Sequence, residues 1–221
     1  MPLQDRLKSF VLRRGRLTSN QSRALSEHWD KYILDNEEKL SNIWKKNPSV
    51  LDIGFGSGET TAYLAKINPE MLILGAEVYL SGIGSLLSKA NEESLNNIKI
   101  LNSDIVPFLE DKVSDNCFDL IILFYPDPWP KRKHHKRRLL QKDFIDLINK
   151  KLKQNGTFYF KTDWIDYFDE TKKLLNNDPN WRVLQKENLE EYLVNLPRTS
   201  FENKALQAKR KLNELILQKT C

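Results

Sequence analysis

A chain of 221 residues with 40% hydrophobic content suits one domain, or one domain with an added arm. No apolar run approaches the roughly 18 residues of a membrane span, which excludes a helical integral membrane protein. The net charge is +5, yet residues 131–138 (KRKHHKRR) hold six Lys or Arg and no acid; taking those six away leaves −1 for the rest. The basicity is therefore local, as in a phosphate-contacting patch, although a solvated helix face also explains a generic basic run.

The N-terminus, MPLQDRLKSFVLRRGRL, is Arg-rich but not Ser-rich and lacks a cleavage-like site, so it is read as part of the mature protein. Residues 1–48 are polar and helix-prone and are expected to form a basic helical arm packed on a core domain spanning 49–221. From residue 49 onward, short apolar runs alternate with amphipathic ones. SVLDIGF (49–55), LILGAEV (72–78), IKILNSD (98–104), FDLIILFY (118–125) and TFYFKTD (157–163) read as strands, with WRVLQKE (181–187) and LNELILQ (212–218) as the last two. Helices are expected from the Gly-rich turn to about Lys66, from Ser81 to Leu95, and from about Arg137 to Leu152, the last ended by Asn155-Gly156. Cys117 and Cys221 lie far apart, with no CxxC pair or Cys/His cluster. Neither a disulfide framework nor a structural metal is expected, and a reducing, cytoplasmic compartment fits.

Strands separated by crossover helices imply an α/β fold with a parallel, doubly wound sheet, in which ligands gather beyond the C-terminal strand ends. That rule selects Asp52 with its glycine loop, Glu77, Asp104, Asp127 and Asp163, one acid from each of five successive strands. In LDIGFGSGE, Gly54, Gly56 and Gly58 let the backbone turn sharply and approach a ligand. The dinucleotide fingerprint is broken by Glu59, which at a helix start opposes a pyrophosphate. An acid followed by such a loop suits a ligand with a cationic end and no phosphate; S-adenosylmethionine (SAM), with its ammonium and sulfonium, is one. Glu77 is placed to accept from ribose hydroxyls and Asp104 from an adenine amine, while both positions also suit helix caps. The alternation and the loop together resemble the class I SAM-dependent methyltransferases.

Beyond the central strand, the prolines of Pro126-Asp127-Pro128-Trp129-Pro130 fix φ and stiffen the loop, which would hold Asp127 and Trp129 at the sulfonium end of the slot. A planar group stacked on the indole is one reading of Trp129; simple packing is the other. PDPWPKRKHHKRRL, together with the R-R-G-R-L-T-x-x-Q stretch at 13–21, resembles the bacterial tRNA (guanine-N7-)-methyltransferase family over nearly the whole chain. The resemblance implies a Rossmann-like SAM-dependent methyltransferase fold, a mostly parallel seven-stranded sheet with an antiparallel last strand. It implies methylation of guanine N7 in the tRNA variable loop, with SAM as methyl donor, S-adenosylhomocysteine as product, and no metal. Carried onto this chain, its cofactor contacts fall on Asp52, Glu77, Asp104 and Asp127, beside Gly54 and Gly56 of the loop already read as cofactor-binding, and its active-site acid on Asp127. Its substrate contacts fall on Lys131, Asp163, Thr199, Ser200, Phe201 and Glu202, and its RNA-contacting segment on Lys133, His134, His135, Lys136, Arg137 and Arg138. The family commonly has Glu at the position of Asp52 and Tyr at that of Phe201, so a contact through a phenol hydroxyl is lost there.

Read without the resemblance, Asp163 also suits an N-cap for the following helix, and Thr199 with Glu202 has capping-box spacing. Three rival functions remain open at this level. One is an exocyclic amine methyltransferase, since D-P-P-aromatic loops occupy the same strand end. Another is an NAD-dependent oxidoreductase, disfavoured by Glu59. The third is an RNA-binding protein without catalysis, disfavoured by the intact acids.

Overall fold

The computed structural model describes residues 7–11, 15–34, 40, 42–175 and 178–220. Chain order is α1 (Ser19–Tyr32), α2 (Asn42–Lys46), β1 (Ser49–Ile53), α3 (Glu59–Ile67), β2 (Leu72–Ala76), α4 (Leu80–Glu92), β3 (Ile98–Leu101) and α5 (Ile105–Asp111). There follow β4 (Phe118–Phe124), a 3-10 turn over Arg132–Arg137, α6 (Lys142–Lys151), β5 (Leu152–Thr162) and α7 (Ile165–Leu174). The chain closes with β6 (Trp181–Leu184), α8 (Glu191–Val194), α9 (Ser200–Gln207) and β7 (Asn213–Lys219). Seven strands form one sheet in the order β3-β2-β1-β4-β5-β7-β6. Strands β1 to β5 pair in parallel, while β7 is antiparallel to both β5 and β6, so the last strand is the inverted one, as expected.

The central strands are buried on both faces because helices cover both sides, whereas the edge strand β6 leaves Arg182 and Val183 exposed; successive side chains enter opposite layers. Leu51 and Ile53 of β1 join Phe108, Phe144, Ile148 and Tyr167 on one side. Val50, just before them, joins Leu64, Ile83, Leu87 and Ala24 on the other. The arm is anchored on this second side. Thr18 and Gln21 form a capping box at the start of α1, with Thr18 Oγ1 accepting from Gln21 N and Gln21 Oε1 accepting from Thr18 N. Gln21 Nε2 also donates to Ser85 of α4 at 3.0 Å. A Cβ on Gly84 would stand 2.9 Å from both the backbone oxygen and the Cβ of Gln21, so the missing side chain is what lets α1 approach α4. Arg13 and Arg14, the start of the 13–21 stretch, lie outside the described residues, as does Cys221. Among the described residues, no helix is long and apolar enough to cross a membrane.

Two expected boundaries move. The helix expected from Arg137 begins only at Lys142. Leu139 and Leu140 are buried all the same, from an extended segment in which Leu140 N donates to the Tyr167 hydroxyl at 3.0 Å. Asn155-Gly156 does not end that helix, which stops at Lys151; the pair lies inside β5. There the pairing with β4 shifts register between Phe118 and Leu120, and Asn155 takes the left-handed conformation with φ 62°. The turn chemistry was read correctly, but it serves a bulge rather than a helix end.

Candidate active site

The aligned C-terminal ends of the parallel strands border a cavity of about 370 Å³, within the range of small-molecule sites. Its floor is the loop after β1. Gly54, Gly56 and Gly58 have φ of 68°, 59° and 77°, a region that only glycine occupies without strain. A Cβ on Gly82 of α4 would lie 2.3 Å from the Gly56 carbonyl oxygen, so α4 seats against this loop only because that position is bare.

Glu77, immediately after β2, ties the floor together. Oε2 accepts from Gly56 N at 3.0 Å, and Oε1 accepts from Val78 N and Tyr79 N at 2.7 and 3.1 Å. Backbone donors thus take three of the roughly four lone-pair positions of a carboxylate. Room remains for about one ligand hydroxyl, rather than the pair expected from the sequence. Burial raises the Glu77 pKa, and the three backbone bonds oppose that rise. Asp104 lines the cavity and caps α5, its Oδ1 accepting from Val106 N at 3.2 Å, so the cap and a place on the cavity wall coexist in one geometry.

Asp52 is elsewhere. It is 3% exposed within β1 and is not part of the cavity wall; Thr61 of α3 donates to its Oδ2 at 2.7 Å. Burial pushes its pKa from 3.8 to about 7, with the Thr61 bond opposing the rise and Glu77 and Glu59 adding to it. This acid ties β1 to α3 through Thr61.

On the acceptor side, Tyr125, Pro126 and Asp127 line the cavity, with Asp127 exposed. The loop is bent by two left-handed residues, Tyr125 at φ 52° and Trp129 at φ 46°. Trp129 does not line the cavity. Its Nε1 donates to Ser9 O at 2.9 Å, the Arg137 guanidinium lies 5.0 Å above its ring, and His134 packs on it at 5.8 Å. The packing reading of this indole is the one the structure supports. Ser9 and Phe10 of the arm also line the cavity, and the Tyr79 hydroxyl donates to Val11 O at 2.8 Å. The arm therefore crosses the site, bound to the cofactor side at one end and to the acceptor loop at the other.

The basic run divides. Lys131, Arg132, Lys133 and Lys136 are exposed. Arg138 requires a correction: it is 1% exposed, and its guanidinium donates to Pro128 O at 2.9 Å, to Glu170 at 2.5 Å and to Asp166 at 2.8 Å. Its guanidinium is buried and bound inside the protein, so it is not part of the exposed surface in this conformation. His135 turns the same way, with Nδ1 2.9 Å from Glu170. A stretch of cations read as one surface is thus a surface with an internal anchor.

Among the remaining candidates, Ser200 and Phe201 line the cavity, whereas Lys131, Asp163, Thr199 and Glu202 do not. Asp163 is paired with Arg210 at 2.9 Å and caps nothing; Trp164 is the N-cap of α7. Thr199 is the N-cap of α9, accepting from Glu202 N at 3.1 Å. Phe201 lies over the glycine loop, its Cε2 3.6 Å from where a Cβ on Gly56 would stand. Sequence reasoning missed Ser9, Phe10, Gly82, Tyr125 and Lys204, all of which line the cavity. Only Gly82 carried a signal, a glycine inside a helical pattern, which marks a close backbone approach. Among the described residues, no group of three or more His, Cys, Asp or Glu is placed to hold a metal ion.

Residues 46–215 match a protein-family model described as "Putative methyltransferase". A tRNA (guanine-N(7)-)-methyltransferase of Colwellia psychrerythraea is 37% identical over 206 residues, 90% of this chain and 84% of that protein. A protein of the same name from Nitrosospira multiformis is 41% identical over 79% of this chain and 78% of its own length. Among solved structures, the 16S rRNA methyltransferase KamB superposes with a TM-score of 0.55 at 15% identity, covering 98% of this chain and 99% of that one. An rRNA methylase from Streptococcus thermophilus gives 0.52 at 13% identity over 81% of this chain and 93% of its own. At such identities the likeness speaks for the fold.

Proposed function

The chain belongs to the tRNA (guanine-N(7)-)-methyltransferase family, and we propose that it methylates N7 of a guanine in the tRNA variable loop, with SAM as methyl donor. The observation that carries the reading is one cavity whose walls come from the glycine loop, Glu77 and Asp104 on one side and from Tyr125 to Asp127 on the other, with exposed cations following.

The donor set fits SAM. Glu77 has about one acceptor position left for a ribose hydroxyl, Asp104 on the cavity wall would accept from the adenine amine, and the glycine turn admits a backbone-close ligand. When bound, SAM supplies a methyl group activated by the sulfonium. The protein's task is then alignment and electrostatics, because guanine N7 offers a free lone pair and no proton has to be removed from it. Asp127 accepts from the Watson–Crick edge of the base and favours the positive charge that grows on it, without acting as a general base. The braced loop holds that carboxylate in place before substrate arrives. Lys131, Lys133 and Lys136 contact backbone phosphates beside the target base, and residues 1–48 act as an arm on the 49–221 catalytic domain. The RNA substrate places the enzyme in the cytoplasm.

Incubation with labelled SAM and bulk tRNA, followed by digestion to nucleosides, tests the reading. Label in 7-methylguanosine is expected. Label in an exocyclic methylamine, or none in RNA, would overturn it.

A further inference from the structure

The cavity wall is acidic. Glu77, Asp104 and Asp127 line it, and among the described residues Lys204 of α9 is the one cation that does. Ser200 and Lys204 are four positions apart and share a helix face, with Phe201 beside them, and all three line the cavity. The Lys204 ammonium lies 5.4 Å over the Phe201 ring. Phe201 in turn lies over the glycine loop, its Cε2 3.6 Å from where a Cβ on Gly56 would stand. Among the described residues, no carboxylate pairs with that ammonium. The glycine amides of the loop are already engaged: Gly54 N donates to Ala76 O at 2.7 Å, Gly56 N to Glu77 Oε2 at 3.0 Å and Gly58 N to Phe55 O at 3.0 Å. Lys89, a second cation that reaches this loop, donates to Ser57 O at 2.8 Å, stands 3.7 Å from Glu59, and does not line the cavity.

We infer that Lys204 binds the carboxylate at the methionine end of the cofactor. The inference rests on the methyltransferase reading above and deepens it. SAM carries an ammonium, a sulfonium and a carboxylate. The two cationic groups suit an acidic cavity, but the carboxylate has to enter a space bordered by Glu77, Asp104 and Asp127, where like charges repel. The three glycine amides have other partners, which leaves Lys204 as the cation on the wall to offset that repulsion. Its place over Phe201 puts it on the glycine-loop side of the cavity, apart from the exposed lysines that follow Asp127. The contact with the ring does not hold it back. An exposed cation–π contact is worth less than a hydrogen bond between charged groups, and the flexible lysine stem can trade one for the other. A phosphate of the target nucleotide is the other source of an oxyanion, and the test separates the two.

The test is calorimetric binding of SAM and of decarboxylated SAM, which keeps the ammonium and sulfonium but lacks the carboxylate, to the native protein and to Lys204→Met. Methionine keeps the apolar stem over Phe201 and removes the charge. The native protein is expected to prefer SAM by about five- to tenfold, between the worth of an exposed ion pair and that of a hydrogen bond to a charged group. In the variant that preference should vanish, through weaker binding of SAM with decarboxylated SAM bound as before. Lys204→Arg, which keeps the charge, should retain most of the preference. A preference that survives in Lys204→Met would overturn the assignment. Equal losses in the Met and Arg variants would make the effect one of packing and overturn it as well. A raised KM for tRNA with unchanged SAM affinity would give Lys204 to an RNA phosphate, which also defeats it. The native protein is the control for the underlying reading: no binding of SAM and no 7-methylguanosine in tRNA would defeat that reading, whereas both present with no effect of the variant would defeat only the role of Lys204.

Discussion

Arg138 Nε donates to the carbonyl oxygen of Pro128 across 2.9 Å, at the far side of the loop that carries Asp127. The same guanidinium holds Asp166 and Glu170 of α7 and lies 4.8 Å over the ring of Tyr167. One buried cation thereby fastens the acceptor loop to a helix of the core. Its planar fork suits this multiple anchoring, which a lysine cannot reproduce.

Arg138→Met is therefore expected to cost roughly 2–3 kcal/mol, below the 3–5 typical of a broken buried pair because the two carboxylates stay partly in water and resolvate. Lys133→Met, at an exposed position, should change stability by less than about 0.5 kcal/mol. Urea denaturation of the two variants separates the roles. Equal midpoints would return Arg138 to the surface patch.

Neutralising Lys131, Lys133 and Lys136 together is expected to flatten the salt dependence of tRNA binding. Each lost phosphate contact removes about 0.7–0.9 from the slope of log K against log salt, so the triple alanine variant should lose about 2–3. KM for SAM should hold, because none of the three lines the cavity. Fluorescence anisotropy with tRNA between low and high salt measures it, and an unaltered slope would refute the contact.

Asp127→Asn retains an acceptor but removes the charge. Turnover at saturating tRNA and SAM is expected to fall by roughly ten- to a hundredfold, as for loss of one preorganised electrostatic contact. SAM affinity should move little if the carboxylate works on the base. Native turnover in this variant would show that Asp127 only shapes the loop.

Asp52 gives a pH signature. Its folded-state pKa is raised to about 7 by burial, so between the usual carboxylate range and pH 7 the folded state holds a proton that the unfolded state has released. Its contribution to stability is thus fully present below about pH 4 and is lost as pH rises through about 7. Asp52→Asn is expected to remove this decline and to be more stable than the native protein at pH 8, by on the order of 2–4 kcal/mol. Thermal melts from pH 5 to pH 8 read the difference. Parallel curves for the two proteins would mean that Asp52 is charged throughout.

Much of the architecture was legible locally. Every strand run from SVLDI to NELILQ appears as a strand, the central ones because burial on both faces writes a continuous apolar run that needs no partner to be recognised. The strand-end acids were legible for the same reason, once the parallel order placed them on one edge. Boundaries failed where a residue's burial came from something distant. Leu139 and Leu140 have helical spacing, yet an extended segment buries them against the α7 side, where Tyr167 holds Leu140 N. Asn155-Gly156 announced a turn but not that the turn would sit inside a strand.

The sequence by itself determined the sheet, the glycine loop, the acids at its edge and the localisation of charge, since these are patterns of neighbours along the chain. Only the tertiary structure decided which members do what. It took Asp52 out of the cavity and bound it to Thr61 of α3, and it withdrew Arg138 from the charged surface. It brought Ser9 and Phe10 more than 100 residues along the chain to the Asp127 loop. The physical reason is the same in each case. A charge or hydroxyl acquires its role from burial and from its partners, and those are set by segments remote in sequence that meet only when the core closes.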